Sequence, residues 1–131
     1  MQFVKFDWVK VLCLALAGVL AASASAVAYE QLSKEEIERI LPGHTYQMKV
    51  MHPMDLVFFR NGTFKVGHHK PCAGGEKSTY TVSRYGQLKI TFRNCNGKKR
   101  SALYMSVHKK GGRYFVKDSN TRSYYQFNRR R

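Results

Sequence analysis

The sequence predicts a mainly β protein, with one N-terminal amphipathic helix followed by a small antiparallel barrel or sandwich of about eight short strands. Three observations carry this. Apolar residues recur with helical spacing before Gly43, they alternate with polar ones after it, and turn signals then return about every 8 to 12 residues.

The chain opens with MQFVKFDWVK, which sets Lys5 and Lys10 ahead of the apolar run VLCLALAGVLAA and the small-residue stretch SASAVA. A basic stretch, an apolar core and an A-x-A site in that order predict an export signal over 1–28. Both Ala24-Ser25-Ala26 and Ala26-Val27-Ala28 fit the cleavage site, so the mature chain is expected to begin near Val27 or Tyr29. A membrane anchor needs about 20 apolar residues. The uncharged stretch from Val11 to Tyr29 approaches that length, but its second half is Ala and Ser, which favours cleavage and no stable transmembrane span. Cys13 leaves with the signal. Residues 29–131 are expected to form a single β-rich domain, periplasmic or secreted.

In YEQLSKEEIERILPGHTY, Ser33 and Glu36 have the spacing of a capping box, and Leu32 and Ile37 that of a hydrophobic staple. Ile40 and Leu41 extend the apolar stripe until Pro42-Gly43 ends it, which predicts a helix near 33–41. Glu35 and Glu36 in the first turn and Arg39 in the last complement the helix dipole. The next strand places Tyr46, Met48 and Val50 on one side, and His52-Pro53-Met54-Asp55 breaks it. LVFFR and TFKV flank Asn61-Gly62, the strongest short hairpin signal in the chain. A polar loop, GHHKPCAGGEK, leads to the pair STYTVSR and QLKITFRN, with Leu88, Ile90 and Phe92 inward. SALYMSVH, RYFVK and RSYYQF follow, separated by KKGG and DSNT. Closure of the sheet removes exposed edges, so a barrel is favoured over an open sheet.

About 100 residues bury a modest fraction of their surface, and a covalent staple helps a domain of that size. Cys72 and Cys95 are the two cysteines left after the signal, and export makes a disulfide between them the expected state. Two free thiols in a metal or redox role are the alternative, and they lack a CxxC spacing.

The order of LPGHTY at 41–46, FFRNGTF at 58–64 and the Tyr80 to Val82 strand before a cysteine-bearing loop resembles that of small exported bacterial proteins of unassigned function. In those, a short helix and a Leu-Pro-Gly-like turn precede a β meander. The resemblance implies the fold and export, and it carries over no functional residue.

After Gly43 the chain has nineteen Lys and Arg against three acids, Asp55, Glu76 and Asp118. An exported domain of that balance is expected to meet an anionic polymer or envelope surface, such as nucleic acid, lipopolysaccharide or acidic glycan. The candidate anion-binding residues fall in three clusters: Lys98, Lys99 and Arg100; Lys109, Lys110 and Arg113; and Arg129, Arg130 and Arg131. The turns of a meander are expected to bring these together. Tyr104, Tyr114, Tyr124 and Tyr125 lie among them, suited to stacking on bases or sugars, or to filling a small core.

Two alternatives compete. Met51, His52 and Met54, with Met48 nearby, offer the soft thioether and imidazole ligands that suit Cu(I), and His68 and His69 could add nitrogens. Against this, Met48 has the parity of a core residue. Glu76, His108 and an arginine such as Arg84 or Arg93 supply the base, acid and phosphate clamp of a secreted ribonuclease-like enzyme, but no motif surrounds His108. Three acids make a glycosidase pair hard to assemble. There is no GxSxG, HExxH or phosphate-loop pattern, so a non-enzymatic binding domain without cofactor is the leading expectation.

Overall fold

The computed structural model describes residues 28–130. The export signal expected over 1–28 therefore lies outside the described residues but for Ala28, as does Arg131. The elements are strand β1 (Glu30–Gln31), helix α1 (Lys34–Ile40), then strands β2 (His44–Lys49), β3 (Pro53–Phe58), β4 (Phe64–Val66), β5 (Thr79–Val82), β6 (Gln87–Arg93), β7 (Lys99–Lys110), β8 (Arg113–Asp118) and β9 (Tyr124–Arg129).

Ser33 caps α1 as its spacing predicts. Its hydroxyl accepts from the Glu36 N–H at 3.2 Å while its own N–H donates to the Glu36 carboxylate at 3.1 Å. The Ser33 N–H first, and then the Ser33 hydroxyl, hold the Glu36 carboxyl below its ordinary range. Ile37 and Leu41 are fully buried on the face that meets the strands.

The strands form one antiparallel sheet in the order β4-β3-β2-β9-β8-β7-β6-β5. The outer strands β4 and β5 approach each other through a bridge between Thr63 and Thr79, with Phe64 N–H donating to Ser78 O at 2.9 Å and Tyr80 N–H to Gly62 O at 3.0 Å. The sheet is thus a nearly closed, eight-stranded antiparallel barrel, which decides the barrel-or-sandwich alternative. Because it is antiparallel, its turns divide between two ends. One holds α1, the β3–β4, β5–β6 and β7–β8 turns and the end of β9. The other holds the β2–β3 turn, the 67–78 loop, and the β6–β7 and β8–β9 turns.

Inward residues fill the barrel with Tyr46, Met48, Leu56, Phe58, Phe64, Leu88, Ile90, Met105, Val107, Val116 and Phe127. Phe58 is the hub: its ring lies 5.0 Å from that of Tyr80, 5.3 Å from Phe64, 6.2 Å from Phe127 and 6.3 Å from Tyr46. It therefore ties together strands on both sides of the closing seam. At the helix end, Ile37, Leu41 and Leu32 seal the core, and the Tyr46 hydroxyl donates to Ile40 O at 2.9 Å. Burial pushes the Tyr46 hydroxyl up to about 12, so it stays protonated and able to donate.

Some boundaries differ from the sequence expectation. β2 stops at Lys49 and Val50 is exposed, because the pairing of Lys49 with Pro53 leaves only residues 50–52 for the turn. The expected break at Pro53-Met54-Asp55 is instead the start of β3. Proline is tolerated at the first residue of a strand, where its missing N–H costs no ladder bond. β7 runs 12 residues and takes in Lys99 to Lys110, so basic residues expected at turns are partly on a strand. β1 was not expected. Gln31 pairs with His108 and Glu30 with Lys109, and the Leu32 N–H donates to Val107 O at 2.8 Å. The chain packs there so closely over Gly86 that a Cβ on that residue would stand 2.6 Å from Leu32 O. Gly86 also has φ +79°, so only glycine suits the position.

The disulfide forms as expected, Cys72 to Cys95 with Cα atoms 5.4 Å apart, and ties the 67–78 loop to the β6–β7 turn. Chain entropy assigns such a loop about 3 kcal/mol of stability. Replacing both cysteines by alanine is expected to lower the unfolding free energy by about that amount in urea denaturation. Phe58→Ala is expected to cost about 3 to 5 kcal/mol in the same measurement, because the neighbouring rings cannot all collapse into the space.

Candidate functional site

The three predicted basic clusters do not converge. Lys98, Lys99 and Arg100 begin β7 at the disulfide end, whereas Lys109, Lys110 and Arg113 flank the β7–β8 turn at the helix end. Ten residues of strand between Lys99 and Lys109 span roughly 30 Å. Arg129 and Arg130 join the second group, because Arg129 pairs with Tyr46 and the Arg130 N–H donates to Thr45 O at 2.7 Å. The meander alternates its turns between ends, so clusters at successive turns are separated and those one turn further on are reunited.

The two ends differ in their acids. Glu30, Glu35, Glu36 and Glu38 all lie in β1 or α1, among the cations of the helix end. At the disulfide end the Glu76 carboxylate accepts the Cys72 N–H at 2.8 Å, and that of Asp118 accepts the Asn120 N–H at 2.8 Å. Both acids there hold loop backbone in place. Among the described residues one ion pair forms, Arg130 with Asp55 at 3.8 Å on the exposed barrel surface. The cations of the disulfide end are therefore free of carboxylate partners.

Lys65, Lys70, Arg93 and Arg100 line a cleft of about 190 Å³ between β4, the 67–78 loop and the ends of β6 and β7. Phe64 and Phe92 form its apolar floor, their rings 5.7 Å apart. His69, Lys70, Arg93 and Arg100 line it together with Glu76, Ser78 and the two half-cystines. Local structure fixes each wall. The Ser78 hydroxyl accepts from the Arg93 N–H at 3.0 Å, and the Arg93 guanidinium donates through Nη1 to Gly97 O at 3.1 Å. That bond occupies one of its five N–H groups. The β6–β7 register slips by one between Phe92↔Ser101 and Arg93↔Lys99, which makes Arg100 the extra residue of a bulge. A bulge changes the direction of a side chain and often lies beside a site, and here it belongs to the residue that completes the cleft.

Of the predicted binding residues, Arg100 lines this cleft, with Lys98 and Lys99 adjacent in the chain. Sequence reasoning missed His69, Lys70 and Arg93 as its partners. The signal for them was present: a bond from Cys72 to Cys95 must bring His69-Lys70-Pro71 beside Arg93-Asn94.

The residues of the two alternative readings are placed as follows. Met54 is half-buried on the inner side of β3 opposite Met48, whereas Met51 is 91% exposed at the tip of the turn and His52 is exposed beside it. Among the described residues no group of three His, Cys, Asp or Glu is close enough to hold a metal ion. Glu76 and Arg93 line the cleft, but His108 is eight residues further along β7 than Arg100, roughly 26 Å away. Arg84 is at the helix end, its guanidinium 2.8 Å from the Tyr85 hydroxyl. The base, acid and clamp of a ribonuclease are not assembled.

His108 is 7% exposed on the outer side of β7, covered by Tyr29 and Tyr124, which stack at 3.7 Å, and beside Phe115. Its Nε2 is 2.7 Å from the Ser106 hydroxyl, and its buried Nδ1 has no partner. Desolvation, with a smaller contribution from the Lys117 charge, pushes its pKa down. Tyr29 and Tyr124 are thus occupied with each other, each below a lysine: Lys110 over Tyr29 at 4.5 Å and Lys117 over Tyr124 at 5.6 Å. Tyr114 and Tyr125 pack inward against the core, and Tyr104 remains exposed under Lys89.

The His108 surroundings predict a pH dependence. The folded state disfavours the imidazolium, so the unfolded chain binds more protons below about 6.5. Stability is complete above that pH and falls as the pH drops toward the lowered folded value. Urea midpoints measured from pH 7.5 to pH 5 should decline, and His108→Gln should flatten this part of the curve.

Comparison with protein-family models, with curated proteins and with solved structures finds no match, so the resemblance to small exported bacterial proteins rests on the sequence alone and the function is argued from the site itself.

Proposed function

We propose that the protein is an exported, non-enzymatic binding domain that holds an anionic polymer or envelope surface against the disulfide end of its barrel. The observation that carries this reading is the segregation of charge. At the disulfide end Lys70, Lys77, Arg93, Lys98, Lys99, Arg100 and Arg122 outnumber the acids Glu76 and Asp118, each bonded to a backbone N–H, and Asp55, which lies beside Gly67 and pairs with Arg130. Solubility alone calls for interspersed charges of both signs. A field of one sign around a cleft raises the local concentration of anions and the rate of encounter. Export supplies the compartment in which such polymers are met and in which the Cys72–Cys95 bond persists.

The helix end serves a different purpose in this reading. Its lysines and arginines share that end with four glutamates, and α1 and β1 cover part of its surface, leaving an open cleft beside Arg129 and Arg130. Polymer contact there would be weaker for the same number of cations.

Binding to labelled single-stranded DNA, lipopolysaccharide and polyglucuronate, followed by fluorescence anisotropy, tests the proposal. Four cations releasing counterions predict an affinity loss of about 50-fold between about 50 and about 200 mM salt. Reversing Lys98, Lys99 and Arg100 to glutamate should reduce low-salt binding by at least about tenfold, while Lys109→Glu with Lys110→Glu should change it by less than about threefold. Binding that is absent at low salt, or indifferent to salt, rejects the reading.

A further inference from the structure

The cleft at the disulfide end is too small for a polymer segment yet richer in cations than a passing contact requires. We infer that it is a subsite for one phosphomonoester group, carried at the end of a polymer or as a substituent on it. This rests on the polymer-binding reading and names the chemistry that the reading leaves open.

Size comes first. Pockets for small organic ligands have volumes of about 300 to 1,000 Å³, whereas this cleft has about 190 Å³ and a floor closed by Phe64 and Phe92. It has room for a single substituent, with the rest of the chain lying outside across Lys98 and Lys99. Charge comes second. Lys70, Arg93 and Arg100 are fixed cations on the wall, and His69 adds an imidazole. The one carboxylate, Glu76, is turned to the Cys72 N–H. A monoester dianion takes up this excess better than a diester or a carboxylate, each of which brings one negative charge. Geometry comes third. Arg93 is held at one end by Gly97 O, leaving N–H groups that can address two oxygens of one group. Arg100 comes from the neighbouring strand at the bulge and lines the same cleft, where its guanidinium can address a third. The apolar floor excludes water beneath the group, which strengthens both contacts.

Titration of the protein with ribose 5-phosphate, dimethyl phosphate and glucuronate at matched ionic strength tests the inference, read from amide and arginine Nε shifts in two-dimensional NMR. Ribose 5-phosphate should saturate, with shifts confined to residues 69–78 and 93–100. It should bind about tenfold tighter than the two monoanions and weaken below about pH 6, where the monoester gains a proton. Arg93→Gln and Arg100→Gln should each abolish saturation, whereas Lys109→Gln and Lys110→Gln, each equal in charge to a cleft variant, should not. If either cleft variant fails to fold, the other carries the test, since Arg100 is exposed and its side chain holds no other element. A short oligonucleotide bearing a 5′-phosphate should bind about tenfold tighter than its 5′-hydroxyl twin, and native lipopolysaccharide tighter than its dephosphorylated form, if each is a carrier. A gain on one pair alone identifies the carrier. Equal affinity for monoester and diester, shifts spread over both ends, or saturation surviving both cleft variants overturns the subsite. Salt-dependent polymer binding without saturable monoester binding removes the subsite and leaves the polymer reading standing. Saturable monoester binding without polymer binding supports the subsite and removes the polymer reading.

Discussion

Closure of the barrel around Phe58 is the constraint on which the remaining structure depends. Its ring contacts Tyr46, Phe64, Tyr80 and Phe127, from four other strands. The β4–β5 seam has few backbone bonds of its own, so side-chain packing does what a continuous ladder does elsewhere in the sheet. The Tyr80 hydroxyl adds a bond across the same seam, donating to Phe59 O at 2.6 Å. Without that closure β4 and β5 would be open edges, the 67–78 loop would have no fixed position, and the cleft would lose one wall.

The ends of the barrel are finished by different means. At the helix end, Leu32, Ile37 and Leu41 close the interior with apolar side chains, and β1 extends the sheet alongside β7. At the disulfide end the described residues form no helix; a covalent bond and a few side-chain hydrogen bonds shape the loops instead. The helix end keeps open clefts on its flanks, one lined by Gly43, His44, Thr45, Arg129 and Arg130, whereas loops held by a disulfide frame the concave, polar surface of the other end. The acids follow the same division, since α1 uses glutamates to complement its dipole and its cap. Charge segregation is in part a consequence of where the helix sits.

Cations grouped without carboxylate partners repel one another and act against the compact state. The disulfide offsets this at the same end of the molecule, and the aromatic core does so from the barrel interior. The His108 region shows a different outcome for a polar group: Tyr29 and Tyr124 cover it, with Phe115 beside it, one nitrogen is 2.7 Å from the Ser106 hydroxyl, and burial pushes its pKa down.

Much of the fold was legible in the sequence, because it depends on local rules. The capping box at Ser33 and Glu36, the Asn61-Gly62 hairpin, the alternation through Leu88, Ile90 and Phe92 and the pairing of Cys72 with Cys95 each follow from spacing within a few residues or from the two cysteines that lie beyond the expected signal. The excess of Lys and Arg after Gly43 is likewise a property of composition. What the sequence left open was direction and distance. Lys98 to Arg100 and Lys109 to Arg113 look like neighbours along the chain, but β7 is one continuous strand and puts them at opposite ends. Arg93 and Lys70, more than twenty residues apart, share a cleft because the disulfide closes one loop on another and a one-residue slip makes Arg100 the bulge residue. Local chemistry determines which elements form; only closure of the sheet decides which of their side chains meet.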